Sequence, residues 1–230
     1  MINMLRRLLA VFLVALIAFS TVAAAQTEVL VPSDVSGPMW WDFSAPTPTV
    51  IKLLPNLPGP APNASDNLRI GFVTQTKEAG GTYEVLTIRF KINGVMAVGS
   101  PRYGVPDQEV AQWSNNETVK VVILGNTIEV YVGITKVWSY EASEEVPDIS
   151  YVYADSATFG VPAFEGGGYV KVYVDEDELN SILINYQMRE SMSATMELFT
   201  AFMPLLMVFA IFGMFMKFMG KIVNALGRAF

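Results

Sequence analysis

The residues of this chain that could form a site are four tryptophans, two runs of carboxylates and two Asn-x-Ser/Thr triplets. Histidine and cysteine are absent from all 230 positions. Without imidazole the commonest general base is missing, and neither a Ser-His-Asp nor a Cys-His nucleophile can be assembled. Cys/His zinc sites are excluded on the same grounds. What remains is recognition chemistry. Tryptophan offers a large apolar face and one polar N–H, the combination that stacks on sugar rings.

Trp113 sits in the polar segment Gln112-Trp-Ser-Asn-Asn116 and is expected to be exposed, whereas Trp138 lies in an apolar alternation and is expected in the core. Trp40 and Trp41 are adjacent, so in extended backbone one must face inward and the other outward. Trp113, Trp40 and Trp41 are therefore the candidates for glycan stacking. Asn63-Ala-Ser65 and Asn116-Glu-Thr118 read as N-glycosylation sequons in surface loops. The run Asp175-Glu-Asp-Glu178 would suit a cation by its oxygens. The stronger reading makes Asp175 a helix N-cap with Glu178 at N3, the acids complementing the helix dipole. No motif implies a metal or a cofactor.

These residues need elements to hold them. From 68 to 174 the chain alternates apolar and polar residues in short runs with turn residues between. In Glu84–Ile92, Leu86, Ile88, Phe90 and Ile92 alternate with Val85, Thr87, Arg89 and Lys91, the period of a half-buried strand. Asn93-Gly94 predicts a type I′ hairpin turn. Further strands are expected over Val95–Val98, Thr118–Leu124, Thr127–Val132, Ile134–Tyr140, Ile149–Tyr153, Ala157–Val161 and Tyr169–Val174. Upstream, Val29–Val31, Met39–Phe43 and Val50–Leu54 are short apolar runs, and the proline-rich stretch Pro55–Asp66 excludes a helix. About ten short strands with no helical period before residue 175 predict a mainly β architecture, an antiparallel β-sandwich of jelly-roll type.

The run Val119-Lys-Val-Val-Ile-Leu-Gly-Asn-Thr-Ile-Glu-Val-Tyr-Val-Gly-Ile-Thr-Lys-Val137 resembles the central hairpins of concanavalin A-like (laminin-G-like) jelly rolls. Phe159-Gly160 and Tyr169–Val174 are similar to that family's closing strands. The resemblance implies two stacked sheets and, in many members, glycan recognition. The family's calcium and sugar ligands have no residue-by-residue counterpart here. Some of these folds are glycosidases carrying alternating acids of the type E-x-D-x-x-E on a strand; no strand here does, and an enzyme is not expected.

The two ends of the chain set its address. Arg6-Arg7, the apolar run Leu8–Phe19 and the small residues Ala23-Ala24-Ala25 read as a secretory signal over residues 1–25. At the other end Leu198–Met216 is nineteen residues without a charge, and a helix of that length rises about 28 Å, enough to cross a bilayer core. Lys217, Lys221 and Arg228 follow it and mark the inner side. The expected division is signal peptide 1–25, β-sandwich 26–175, helical stalk 176–197, transmembrane helix 198–216 and basic interior tail 217–230.

Residues 26–185 carry 20 acidic and 9 basic side chains, a net of −11, which repels phosphate backbones and argues against nucleic acid as a partner. Met188, Met192, Met196, Phe199, Met203 and Leu206 recur at spacings of three and four, a seam suited either to lipid and the body's own surface or to a second copy of the chain. The expected protein is a single-pass surface protein of a cell membrane or virion envelope. Its lectin-like sandwich would serve attachment or recognition of glycans. A structural subunit of an envelope or surface layer is the alternative. The composition leans toward an archaeal host or its virus.

Overall fold

The structure is a computed structural model that describes residues 27–78 and 81–226. The expected signal peptide and the last four residues of the basic tail lie outside the described residues. Twelve strands precede one long helix: β1 (Glu28–Pro32), β2 (Met39–Ala45), β3 (Thr49–Asn56), β4 (Asn67–Val73), β5 (Glu84–Lys91), β6 (Val95–Ser100), β7 (Val105–Gln112), β8 (Val119–Leu124), β9 (Thr127–Val132), β10 (Thr135–Glu141), β11 (Ile149–Ser156), β12 (Tyr169–Val174) and α1 (Glu176–Leu226). Two antiparallel six-stranded sheets stack as a β-sandwich. The first has the order β1-β12-β3-β8-β9-β10 and the second the order β2-β11-β4-β5-β6-β7.

The alternation in sequence becomes the two faces of each sheet. On β5, Leu86, Ile88 and Phe90 enter the core while Thr87, Arg89 and Lys91 take the outer face. On β9, Ile128, Val130 and Val132 point inward between Thr127, Glu129 and Tyr131. The core between the sheets is apolar, with Phe72, Phe90 and Phe164 as its largest fully buried side chains.

Three local expectations are corrected. Ala157–Val161 is a turn closed by Gly160 (φ 80°), not a strand, because β11 runs on to Ser156 and the chain must then reverse. β7 is a strand the alternation did not announce: Val-Pro-Asp-Gln-Glu-Val-Ala-Gln is mostly exposed, lies at a sheet edge and carries a proline, which an edge strand tolerates. The Asn93-Gly94 turn is not type I′. Only Gly94 has positive φ (82°), and Gly94 N–H donates to the Lys91 carbonyl at 3.0 Å.

The antiparallel register sorts the loops by end. β12 starts at Tyr169, opposite the end of β3 at Asn56, and finishes at Val174 beside the start of β3. The β3–β4 loop therefore lies at the end of the sandwich away from the junction with α1. The loop 113–118 joins it there, with Asn116 N–H donating to the Pro55 carbonyl at 2.8 Å.

Asp175 caps α1 as expected, its Oδ1 accepting the N–H of Glu178 at 2.9 Å. The capping box is not reciprocal. Asp175 N–H donates to the Val50 carbonyl, and the Glu178 side chain turns to the sheet instead. Lys52 of β3 meets Asp175 at 2.7 Å and also reaches Glu178, and Lys120 of β8 meets Glu178 at 2.6 Å. The acid run is thus a clamp for the first helical turn. Burial opposes the charge on Lys52, but hydrogen bonds to Asp175 and Glu178 outweigh it and raise its pKa. Hydrogen bonding from Lys52 and from the Glu178 N–H holds Asp175 below the usual aspartate range. For Glu178, burial pulls upward, yet the contacts with Lys120 and Lys52 prevail and lower it.

The chain divides into a body ending at Leu179 and a helical unit from Asn180. Within the latter α1 continues unbroken through Pro204 to Leu226. Thr195–Lys221, 27 residues, is long and apolar enough to cross a membrane, and its side chains are exposed.

Candidate functional site

The outer face of the second sheet brings aromatic and charged residues of several strands side by side. Trp40, Tyr153, Gly71, Thr87 and Gly99 are successive cross-strand partners over five strands. Beside them Asp155, Arg69, Arg89, Ala97 and Glu109 form a second row. The two rows make a deck of alternating aromatic, charged and side-chain-free positions.

The glycines in the deck are required by the carboxylates that lie on them. A Cβ at Gly71 would collide with Glu84 Oε1 and sit 3.1 Å from its Cδ. One at Gly99 would collide with Asp107 Oδ1 and stand 3.0 Å from the Asp107 backbone N. Glu84 consequently folds flat and is fully buried. Thr87 Oγ1 donates to its Oε1 at 2.7 Å and Arg69 Nη2 donates to its Oε2. A buried carboxylate is tolerable only with partners of this kind.

Arg69 also approaches Asp155 at 3.5 Å and lies over the Tyr153 ring, 5.4 Å from its centroid. The Tyr153 hydroxyl donates to Asp155 Oδ2. Burial and that hydrogen bond together push the phenol pKa well above its ordinary value. At the deck's margin Trp40 stands 4.6 Å from Tyr153, tilted, and 6.5 Å from Tyr151, edge-on. Trp40 is only half-buried.

On the other side of the deck Arg89 Nε meets Asp107 at 2.7 Å, and Lys91 Nζ meets Glu109 at 2.8 Å. The hydrogen bond to Glu109 raises the Lys91 pKa. Two buried polar atoms of β4 on this face, Asn67 Oδ1 and Arg69 Nε, have no hydrogen-bond partner among the described residues.

The tryptophans divide as backbone alternation requires, with one change of rank. Trp41 packs against the core and Trp40 takes the outer face. Trp138 is buried at 8% exposure. Trp113 is not the exposed loop residue expected. Its ring meets Phe90 and Phe164 edge-on at 5.5 and 5.7 Å, and Nε1 donates to the Lys91 carbonyl at 3.1 Å. The apolar wall under the 113–118 loop outweighs the polarity of its neighbours in sequence. Of the three candidates, Trp40 is the one whose ring lies on the outer face. Its companions Tyr151 and Tyr153, and the charged pairs, escaped sequence reasoning because they come from six separate strands and loops. The period-2 pattern of β5 and β11 was the available signal.

Asn63 (φ 56°) and Asn116 (φ 64°) are both exposed, in loops at the end of the sandwich opposite the end of β12. Each occupies a left-handed turn position that asparagine tolerates better than most residues.

No family model matches the sequence, and no curated protein matches it. Solved structures similar to it include galectin LEC-6 of Caenorhabditis elegans, at 14% identity and a TM-score of 0.42 over 65% of this chain and 96% of that one. Chicken galectin 2 shows 13% identity and a TM-score of 0.39 over 61% and 99%. Galectin-Ib of Xenopus laevis shows 9% and 0.38 over 59% and 99%.

Proposed function

We propose that this chain is a single-pass surface protein whose β-sandwich binds glycans on the outer face of its second sheet. The observation that carries the reading is the placement of Trp40: half-open, braced by Tyr151 and Tyr153, at the margin of a deck of fixed guanidinium and carboxylate groups. An indole face accepts the C–H face of a sugar ring, while neighbouring polar groups exchange hydrogen bonds with its hydroxyls. Arg69, Arg89, Asp107 and Asp155 are the polar partners in this assignment. Thr195–Lys221 serves as the anchor, with the body outside and the basic end inside.

The test is a glycan array probed with the full-length protein in detergent micelles, alongside Trp40→Ala. Selective binding that falls about tenfold or more in the variant, with an unchanged melting temperature, supports the assignment. Equal binding by both proteins rules out the Trp40 platform.

A second reading, a structural subunit that assembles with copies of itself, draws on the helical unit. Met188, Met192 and Met196 are 55%, 69% and 65% exposed along one helix, an apolar stripe that begins before the span. Native mass spectrometry in mild detergent separates the readings: oligomers that dissociate on polar substitution of Met188 and Met192 favour assembly, and a monomer removes it.

A further inference from the structure

Every cation on the outer face of the second sheet is already engaged. Lys77 meets Asp42 at 3.0 Å, Arg69 is shared by Glu84 and Asp155, Arg89 meets Asp107, and Lys91 lies between Glu109 at 2.8 Å and Asp66 at 3.8 Å. Four cations face six carboxylates, so the deck is net negative even where it is richest in arginine. A ligand carboxylate or sulfate arriving there would have to displace an internal partner and leave a protein carboxylate unpaired in a partly buried setting. The hydrogen-bonding capacity left over differs in kind. Arg89 and Lys91, 26% and 23% exposed, keep N–H donors at the surface beside the exposed Glu109 and Asp66 carboxylates, which accept. That mixture suits hydroxyl groups, which donate and accept at once.

We infer that, given glycan binding at this face, its ligands are uncharged sugars and that it discriminates against sialylated, sulfated and uronate-bearing ones. The selectivity resides in the pairing of Arg69, Arg89 and Lys91 rather than in the overall acidity of the chain.

The experiment uses the full-length protein in detergent micelles against an array that presents neutral glycans beside their sialylated, sulfated and uronate-capped counterparts. The expected result is binding confined to neutral members, with each anionic counterpart weaker by about tenfold or more. Because no net charge is exchanged, that binding should persist from low to high salt. Asp66→Asn/Glu109→Gln, which removes two exposed carboxylates and frees Lys91, should raise the ratio of anionic to neutral binding.

An anionic glycan as the strongest ligand would overturn the inference while leaving glycan binding intact. So would a ratio unmoved in the double variant. Absence of binding to any glycan would overturn the functional reading itself, and the inference with it.

Discussion

Single side chains on this sandwich have consequences that neighbours in sequence do not foretell. Trp113 and Trp40 are both half-buried, but one leans on Phe90 and Phe164 and the other on the outer deck. Trp113→Ala should therefore cost stability, about 3–5 kcal/mol, measured by chemical denaturation of the full-length protein. Loss of binding in that variant without loss of stability would contradict its placement. Gly71 and Gly99 make a second prediction. Alanine at either position has to push a carboxylate off the sheet, Glu84 in one case and Asp107 in the other. A destabilisation of about 1–3 kcal/mol is expected. Glycines at open turn positions such as Gly59, whose added Cβ would meet nothing, should tolerate alanine.

Among the elements, the junction of β12 and α1 is where electrostatics does most. Asp175 caps the helix and Glu178 is held by two lysines from different strands. Asp175→Ala should loosen the first turn by about 1 kcal/mol, read as faster amide exchange over residues 176–179. The pH dependence follows from the direction of the shifts. Both carboxylates titrate below their ordinary values of 3.8 and 4.5, so the unfolded chain takes up protons first as pH falls. Their stabilisation is fully present above the unfolded values and is lost as pH drops through the lower folded ones. Wild type should exceed Lys52→Met/Lys120→Met in stability at neutral pH, and the gap should narrow as pH falls below the ordinary carboxylate values. A gap independent of pH would mean that the lysines act through packing alone. Elsewhere the edge strands look after themselves: β7 carries Pro106, Asp107 and Glu109 at its exposed edge, features that discourage pairing with another chain.

For the whole molecule the proposed function requires a partition, with the β body in water and Thr195–Lys221, long and apolar enough to cross a membrane, in lipid. The protein should remain with membranes through alkaline carbonate extraction, and protease added to intact cells or particles should remove the body. Release into the carbonate supernatant would exclude the span at Thr195–Lys221. The sandwich brings its two sequons to one end, that opposite the end of β12, and a mass shift on deglycosylation would report occupancy at Asn63 or Asn116.

Much of this architecture was legible in the linear pattern. Period-2 alternation in β5, β8, β9 and β12 depends only on which residues can face water, and an uncharged run as long as 198–216 depends only on transfer of side chains to lipid. Asp175 could be read as a cap because capping is local. The site was not legible. Trp40, Tyr153, Gly71, Thr87 and Gly99 are far apart in the chain and become one row only through strand pairing. Which carboxylate neutralises which arginine follows from that same register, as does the inward turn of Trp113. Local propensities act over a few residues and so can be read along the chain; a surface assembled from six strands is defined by long-range pairing and packing, which no short window of residues contains.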